Sequence, residues 1–278
     1  MGRTTYWRGK CGDVLGYTTV VFIDILIGSI GAAILFLSVV FAAAIWLKRV
    51  DLIDSFWGPV FVVIALEAAL QVGSLNLASS VTILLVTVWA LRLFWHIFRR
   101  FLASSEQDPR YDELMKKWPK KYRNLQIFGR VYVVQALLAG LVSIPVVAIV
   151  ASQSYSTTFL SLGVVVWAVG FIFESVSDAQ LKRFVQNKDN QGKLMQTGLW
   201  RYSRHPNYFG ELLQWWGIAV IAVGSAWPII GFAGPLVLTL LICFVSGIPP
   251  AERRAAGKPG WASYKGRTSA LIPLPPRR

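Results

Sequence analysis

Long runs of apolar residues, separated by short polar connections, recur along almost the whole chain. A helix needs roughly 20 such residues to cross the hydrocarbon core of a bilayer. Seven runs are long enough, with approximate bounds 19–47, 55–75, 79–98, 131–151, 159–177, 208–225 and 228–248. The pattern predicts an all-α, polytopic membrane bundle of about seven transmembrane helices, in a single domain that covers residues 1–278.

Lysine and arginine are divided unequally between the two sides of the expected membrane. The connection after the third run holds nine, the connection after the fifth holds six, and the C-terminal tail holds seven. The opposite side carries only Arg3, Arg8 and Lys10, before the first run. Since basic loops tend to stay in the cytoplasm, we expect a cytoplasmic C-terminus and an N-terminus on the outside.

The connection after the third run mixes basic and apolar residues. Between Tyr111 and Phe128, lysines and arginines alternate with Leu114, Trp118 and Leu125. This spacing suits an amphipathic helix that lies on the cytoplasmic leaflet. Membrane lipids are therefore expected partners of this segment.

Composition excludes several classes of function. The net charge of +14 would suit a nucleic-acid binder in a soluble protein, but here the charges lie between apolar runs rather than on one face. Nucleic acid is therefore not an expected partner. With His96 and His205 as its two histidines, and no CxxC or HExxH motif, the chain does not predict a metal site.

Several ionisable residues lie within the apolar runs, where each one needs a partner or a polar cavity. Glu174 and Asp178 are four residues apart and share one helix face. They predict either a polar wall for a ligand or a structural salt bridge between Asp178 and Lys182. Arg92 in the third run either binds an anionic ligand or pairs with Asp54 or Glu67.

The densest polar cluster is GLWRYSRHPNYFGE, residues 198–211, which leads from a basic connection into an apolar run. Pro206 suits the first turn of a helix, where free backbone N–H groups attract anions. Arg201 and Arg204 precede that turn, and Asn207 and Glu211 follow it on one helix face. The cluster predicts a site for a ligand that is anionic at one end and polar further in.

This cluster resembles the C-terminal signature of the membrane-bound steroid 5α-reductases and sterol reductases, in their bacterial branch. The likeness extends back through Glu174, Asp178 and Gln180-Leu181 and forward to RTSALIP, residues 267–273. It implies a multi-pass membrane reductase, with the bacterial inner membrane as the expected location. Such an enzyme takes NADPH from the cytoplasm and a lipophilic enone, such as a 3-oxo-4-ene steroid, from the bilayer. It would function as a monomer.

The resemblance also implies roles for particular residues, with the cofactor bound mainly by residues 160–278. Asn207 and Glu211 would hold the nicotinamide carboxamide region, and Glu174 and Asp178 would contact the cofactor from the fifth helix. The remaining cofactor-binding candidates are Arg92, Lys193, Arg201, Arg204, His205, Tyr208, Arg253 and Tyr264.

The first half of the chain departs from that family. Steroid reductases carry a Gln-Glu pair and a Tyr that hydrogen-bond the substrate ketone, where this chain has Asp51, Asp54 and Trp89. Asp54 is the candidate for polarising the carbonyl, if burial keeps its carboxyl group protonated; a helix cap or an ion pair is the alternative. Asp54, Trp89 and Glu211 are the catalytic candidates, although an indole cannot serve as an acid.

Two other functions stay open. The membrane isoprenylcysteine carboxyl methyltransferases, which use S-adenosylmethionine, share an RHPxYxG signature and a Glu-Arg pair, which Glu252-Arg253 matches here. The changes in the second and third helices would also be compatible with a non-catalytic relative that binds lipid.

Overall fold

The computed structural model describes residues 11–116 and 118–277, with side chains from residue 20 onward. Five basic residues of the charge count lie outside the described residues: Arg3, Arg8, Lys10, Lys117 and Arg278. The described part is helical and contains one isolated bridge but no strand. Its α-helices are α1 (Cys11–Leu47), α2 (Leu52–Val72), α3 (Leu77–Ala103), α4 (Pro109–Lys116), α5 (Arg123–Ile127), α6 (Val134–Val142), α7 (Ile144–Ala151), α8 (Thr157–Gln186), α9 (Pro206–Val223), α10 (Ala233–Leu240), α11 (Ile248–Ala255) and α12 (Trp261–Arg267).

Helical stretches that could cross a membrane make up most of the described chain, which is therefore an integral membrane protein. There are six such stretches within the described residues: Val20–Leu47, Leu52–Val72, Leu77–Ala103, Lys120–Val142, Thr157–Gln186 and Ile230–Ala255. The expected seventh span, 208–225, forms α9, which is not one of them. An 18-residue helix is about 27 Å long, near the lower limit for a span, and α9 also carries Asn207, Glu211 and Gln214.

The run expected at 131–151 is broken near its middle. The helical stretch that begins at Lys120 ends with α6 at Val142, and α7 starts at Ile144. Pro145 lies in the first turn of α7 and has no backbone N–H that could continue the hydrogen bonding of α6. The regular helix is therefore interrupted at Ser143.

The same break separates two compact units, Met1–Ser143 and Ile144–Arg278. In the first unit, α2 packs against α1 and α3. A Cβ atom added at Gly58 of α2 would lie 2.8 Å from the backbone oxygen of Ala90 in α3, so these two helices are in close contact. The prediction that the whole chain is one reductase domain stays a prediction.

Glycines spaced seven residues apart bring α8 and α9 of the second unit together as an antiparallel pair. Gly170 of α8 lies against Gly210 of α9, and Gly163 lies against Gly217. A Cβ at Gly210 would lie 2.5 Å from the backbone N of Glu174, and one at Gly217 would lie 2.7 Å from the backbone N of Trp167. Small residues at such a crossing allow two helix backbones to approach closely. This contact fixes the position of the polar residues on both helices.

Candidate active site

The 198–211 motif is fixed to the end of α8 by its first residues. Gly198 has a φ of +62°, which glycine adopts without strain, and a Cβ there would lie 2.5 Å from Oε1 of Gln180. The same Gln180 oxygen accepts a hydrogen bond of 3.0 Å from the backbone N–H of Leu199. The buried Trp200 then donates from its indole Nε1 to the backbone oxygen of Ser177 in α8, at 3.1 Å.

The centre of the motif pairs with the C-terminal RTSALIP segment. The hydroxyl of Ser203 donates to the backbone oxygen of Leu271 at 2.7 Å. The backbone N–H of Arg204 donates to the backbone oxygen of Ser269 at 2.8 Å. The two sequence segments that carry the resemblance are therefore hydrogen-bonded to each other in the structure.

Arg204 is the ionic centre of this region and is only 9% exposed. Its Nε and Nη2 donate to Oε1 of Glu252 at 2.8 and 2.6 Å. Nη1 donates to the backbone oxygens of Lys265, at 3.0 Å, and of Thr268. Lys265 Nζ lies 3.3 Å from the other oxygen of Glu252. Because most N–H donors of the guanidinium are engaged by the protein, Arg204 joins the motif to α11 and to the end of α12.

His205 lies beside this ion pair but carries no charge at neutral pH. Its burial lowers the pKa to about 4, although the Glu252 carboxylate acts in the opposite direction. The distance of 3.7 Å between Nε2 of His205 and Oε1 of Glu252 is too long for a hydrogen bond. The imidazole stacks on the ring of Tyr208, with centroids 5.4 Å apart and planes inclined by 14°.

Asn207, in the first turn of α9, presents a buried acceptor. Its Oδ1 atom is buried and receives no hydrogen bond from the residues that the structure describes. An unsatisfied buried acceptor loses its bonds to water without replacement, so a ligand N–H at this position would be stabilising. Glu211 lies one turn further along the same helix and is half-buried.

Acidic and amide groups meet where α8 and α9 cross. Glu174 and Asp178 are buried, with 3% and 8% of their surfaces exposed. Gln214 of α9 donates from Nε2 to Oε2 of Glu174 at 2.6 Å, and its own Oε1 receives no hydrogen bond from the described residues. The structure therefore places Glu174 against α9.

The other candidates of the second unit differ in exposure. Lys193, Arg201 and Arg253 are exposed to solvent, and Lys193 lines a surface pocket of about 430 Å³. Tyr264 is buried and donates from its hydroxyl to the backbone oxygen of Trp200 at 2.5 Å. Burial raises the pKa of this phenol to about 12. Tyr264 therefore stabilises the 198–211 motif through its hydrogen bond to Trp200.

Asp54, Trp89 and Arg92 belong to the first unit. The carboxylate of Asp54 accepts hydrogen bonds from the hydroxyl of Tyr111 at 2.6 Å and from Nη2 of Arg110 at 2.7 Å. The ion pair that the sequence left open as an alternative is therefore present.

The other two residues of this group lie on α3. Trp89 is buried and packs edge-on against the ring of Phe61, with centroids 5.4 Å apart. Arg92 is half-buried and lies three residues further along α3. Their contact with a cofactor or substrate stays a prediction.

Two features of the site did not emerge from the sequence analysis. Gln214 lies on the same face of α9 as Asn207 and Glu211, and its spacing could have identified it. Tyr111 and Arg110 reach Asp54 from α4, across more than 50 residues of sequence. No spacing rule connects residues so far apart.

Comparisons with known proteins identify one matching family and partial similarity to curated relatives. A family described as "Protein of unknown function (DUF1295)" matches residues 40–268. The human 3-oxo-5-alpha-steroid 4-dehydrogenase 1 is 30% identical over 86 residues, which are 31% of this chain and 30% of the relative. The corresponding protein of Macaca fascicularis matches to the same extent.

A relative from another class of enzyme also matches. The probable O-methyltransferase ustE of Ustilaginoidea virens is 32% identical over 72 residues, which are 26% of this chain and 25% of the relative. The similarity to these curated relatives thus spans less than a third of their length. No solved structure matches the chain significantly.

Proposed function

The chain belongs to the DUF1295 family, and we propose that this member is a membrane-bound oxidoreductase that uses NADPH to reduce the carbon–carbon double bond of a lipophilic enone. The substrate would be a 3-oxo-4-ene steroid or a related lipid that enters from the bilayer. The observation that carries this proposal is the buried Oδ1 atom of Asn207, which lacks a donor among the described residues. The partial similarity to 3-oxo-5-alpha-steroid 4-dehydrogenase 1 supports it.

The residues around Asn207 suit a nicotinamide cofactor. NADPH would supply the hydride for the reduction. Asn207 would accept a hydrogen bond from the carboxamide N–H, with Glu211 one turn deeper on α9. The uncharged and buried His205, stacked on Tyr208, would hold the Tyr208 ring in place beside a ribose or a base.

The anionic parts of the cofactor would lie near the ends of the helices. Lys193, Arg201 and Arg253 are exposed cations, and cations of this kind can pair with phosphate groups. Arg204, held by Glu252, would fix the loop that carries Lys193 and Arg201 to α11, which carries Arg253. Arg92, Glu174 and Asp178 complete the proposed binding set, with Tyr264, hydrogen-bonded to Trp200, as its structural support. The closely packed α8–α9 pair would exclude water from the hydride-transfer site.

Reduction of an enone also needs an acid near the carbonyl oxygen of the substrate. We assign this part to the Tyr111 hydroxyl, which would turn from the Asp54 carboxylate to the substrate oxygen, with Asp54 as the residue that positions it. Burial and the neighbouring Asp54 raise the pKa of the Tyr111 phenol, so the hydroxyl keeps its proton at neutral pH. Trp89 would form an apolar wall beside this pair.

The proposed topology follows the distribution of positive charge. We propose that α9 completes a set of seven membrane-embedded helices, with the N-terminus outside and the C-terminus in the cytoplasm of a bacterial cell. Lys193 and Arg253 would then face the compartment that contains NADPH. The protein would act as a monomer.

The proposal is tested by ligand-induced stabilisation. A ligand that binds only the folded state raises the melting temperature, so the purified protein is heated with NADPH, NADH or S-adenosylmethionine. We expect NADPH to stabilise the wild type, and Asn207→Leu to lose this shift, because leucine removes the acceptor at similar volume. The matched control is Asn124→Leu, at an exposed position of α5.

Reduction itself is followed by the absorbance of NADPH in the presence of lipophilic enones. If NADPH leaves the melting temperature of the folded wild type unchanged, the proposal is wrong. If NADPH stabilises Asn207→Leu as much as Asn124→Leu, Asn207 is not part of the binding site.

A methyltransferase is the second candidate, because the probable O-methyltransferase ustE matches over 72 residues. Glu252, part of the Glu-Arg pair that suggested this class, lies at the centre of the Arg204 cluster. Stabilisation by S-adenosylmethionine alone would favour this candidate over the reductase. Stabilisation by neither ligand, with the fold intact, would favour a non-catalytic lipid-binding protein.

A further inference from the structure

The connection between α4 and α6 contains a strongly basic segment, residues 114–130. It holds six Lys or Arg residues and no Asp or Glu. Among those that the structure describes, Lys116, Lys120, Lys121 and Arg130 are exposed. The nearest carboxylates in sequence, Asp112 and Glu113, lie one turn from Lys116 on α4. The charges of Lys120, Lys121 and Arg130 are therefore the ones available to an anionic partner.

The segment overlaps the start of a helical stretch that could span a membrane. Lys120 is the first residue of the helical stretch Lys120–Val142, which is apolar enough to span a bilayer. Among the charges, Tyr122 and Leu125 are 52% and 68% exposed. Exposed apolar groups next to cations are typical of a surface that inserts into the headgroup region of a bilayer.

A pocket within the segment combines an apolar lining with a cation, as a site for a phospholipid requires. Its volume is about 480 Å³, and it is lined by Leu114, Trp118, Pro119, Gln126 and Arg130. The guanidinium of Arg130 lies 5.7 Å from the centre of the Trp118 ring. The pocket therefore offers an apolar wall for the glycerol and upper acyl region, and a cation for a phosphate.

We propose that residues 114–130 bind an anionic glycerophospholipid, with its phosphate at Arg130 and Lys120 and its glycerol region in the Trp118 pocket. The exposed Tyr122 and Leu125 enter the same leaflet beside it. Charge complementarity selects the anionic headgroup, and the apolar wall selects a lipid over a free phosphate. This proposal is independent of the reaction that the protein catalyses.

Native mass spectrometry of the detergent-solubilised full chain tests the proposal. The probes are phosphatidylglycerol and phosphatidylcholine with the same acyl chains. We expect tighter binding of phosphatidylglycerol. Each basic side chain near an anionic surface raises the affinity about fivefold, so Lys120→Gln/Arg130→Gln should weaken binding roughly 25-fold.

Two variants and a competitor make the result decisive. Lys188→Gln/Arg254→Gln removes two exposed charges elsewhere and should bind like the wild type, as should the charge-conserving Arg130→Lys. Equal binding of the two lipids, or equal weakening by the control pair, would overturn the proposal. Displacement by millimolar glycerol phosphate would also overturn it, since the site would then recognise a free phosphate.

Discussion

Arg204 donates two hydrogen bonds, of 2.8 and 2.6 Å, to a single carboxylate oxygen of Glu252. The pair joins the loop before α9 to α11, and the remaining bonds of the guanidinium reach the end of α12. One buried cation therefore holds the loop before α9 to two later helices, α11 and α12. The stability of this arrangement depends on the negative charge of Glu252, which pairs with the Arg204 guanidinium.

We expect Glu252→Gln to destabilise the protein by about 2 kcal/mol, because the hydrogen bonds of the buried Arg204 guanidinium lose their charged acceptor. The free energy of unfolding is measured by titration with sodium dodecyl sulfate in mixed micelles. Glu113→Gln removes a carboxylate from an exposed position and should have little effect. Equal stability of the two variants would mean that the ion pair contributes nothing to the fold.

The α8–α9 contact leads to a second prediction. Gly210→Ala would place a Cβ 2.5 Å from the backbone N of Glu174, so the helices must move apart, at a cost of roughly 1–3 kcal/mol. Gly266→Ala in α12 meets nothing within 4 Å and should be neutral or slightly stabilising. The two alanine variants are compared in the same unfolding assay. If Gly210→Ala is as stable as the wild type, the helices are not held by this close contact.

Much of the helical architecture was predictable, because apolar runs of span length are visible without any tertiary information. The class of the fold and six of the membrane helices follow from hydropathy. The break at Ser143 was missed, because Pro145 lies within an otherwise continuous apolar run. The sequence predicted α9 as a span from the length of its apolar run. Asn207, Glu211 and Gln214 lower its mean hydropathy, so it is not one of the six stretches that could span a membrane.

The site was predictable only where its residues are close in sequence. The spacing of Asn207 and Glu211 placed them on one face of α9, and that placement holds in the structure. The partners of Arg204 and Asp54 come from segments about 50 residues away. Long-range pairing of this kind depends on how loops return to the helices, which no local periodicity records.

The lowered pKa of His205 predicts a loss of stability in acid. The imidazole has a pKa of about 4 in the folded protein, against an ordinary value of 6.5. Below pH 6.5 the unfolded chain binds a proton that the folded chain does not, so stability is full above that pH and falls toward pH 4. The loss attributable to this residue is at most about 3 kcal/mol.

The contribution of His205 is isolated by comparing the pH dependence of unfolding between variants. His205→Gln should flatten the curve between pH 6.5 and 4, while His96→Gln, at an exposed position, should retain the wild-type slope. A His205→Gln curve parallel to that of the wild type would place the titrating group elsewhere.

The hydrogen bond of 2.6 Å between Tyr111 and Asp54 predicts a measurable coupling between α4 and α2. A hydrogen bond to a charged group contributes about 1.5–3 kcal/mol, so Tyr111→Phe should cost about 1.5 kcal/mol, whereas Tyr122→Phe, at a 52% exposed position, should not. In a double-mutant cycle, Asp54→Asn should remove most of the effect of Tyr111→Phe, because the phenol then has no carboxylate to bind. Strictly additive effects would mean that the two side chains stabilise the protein independently, and Tyr111 would then be an unsuitable partner for Asp54 in the proposed reaction.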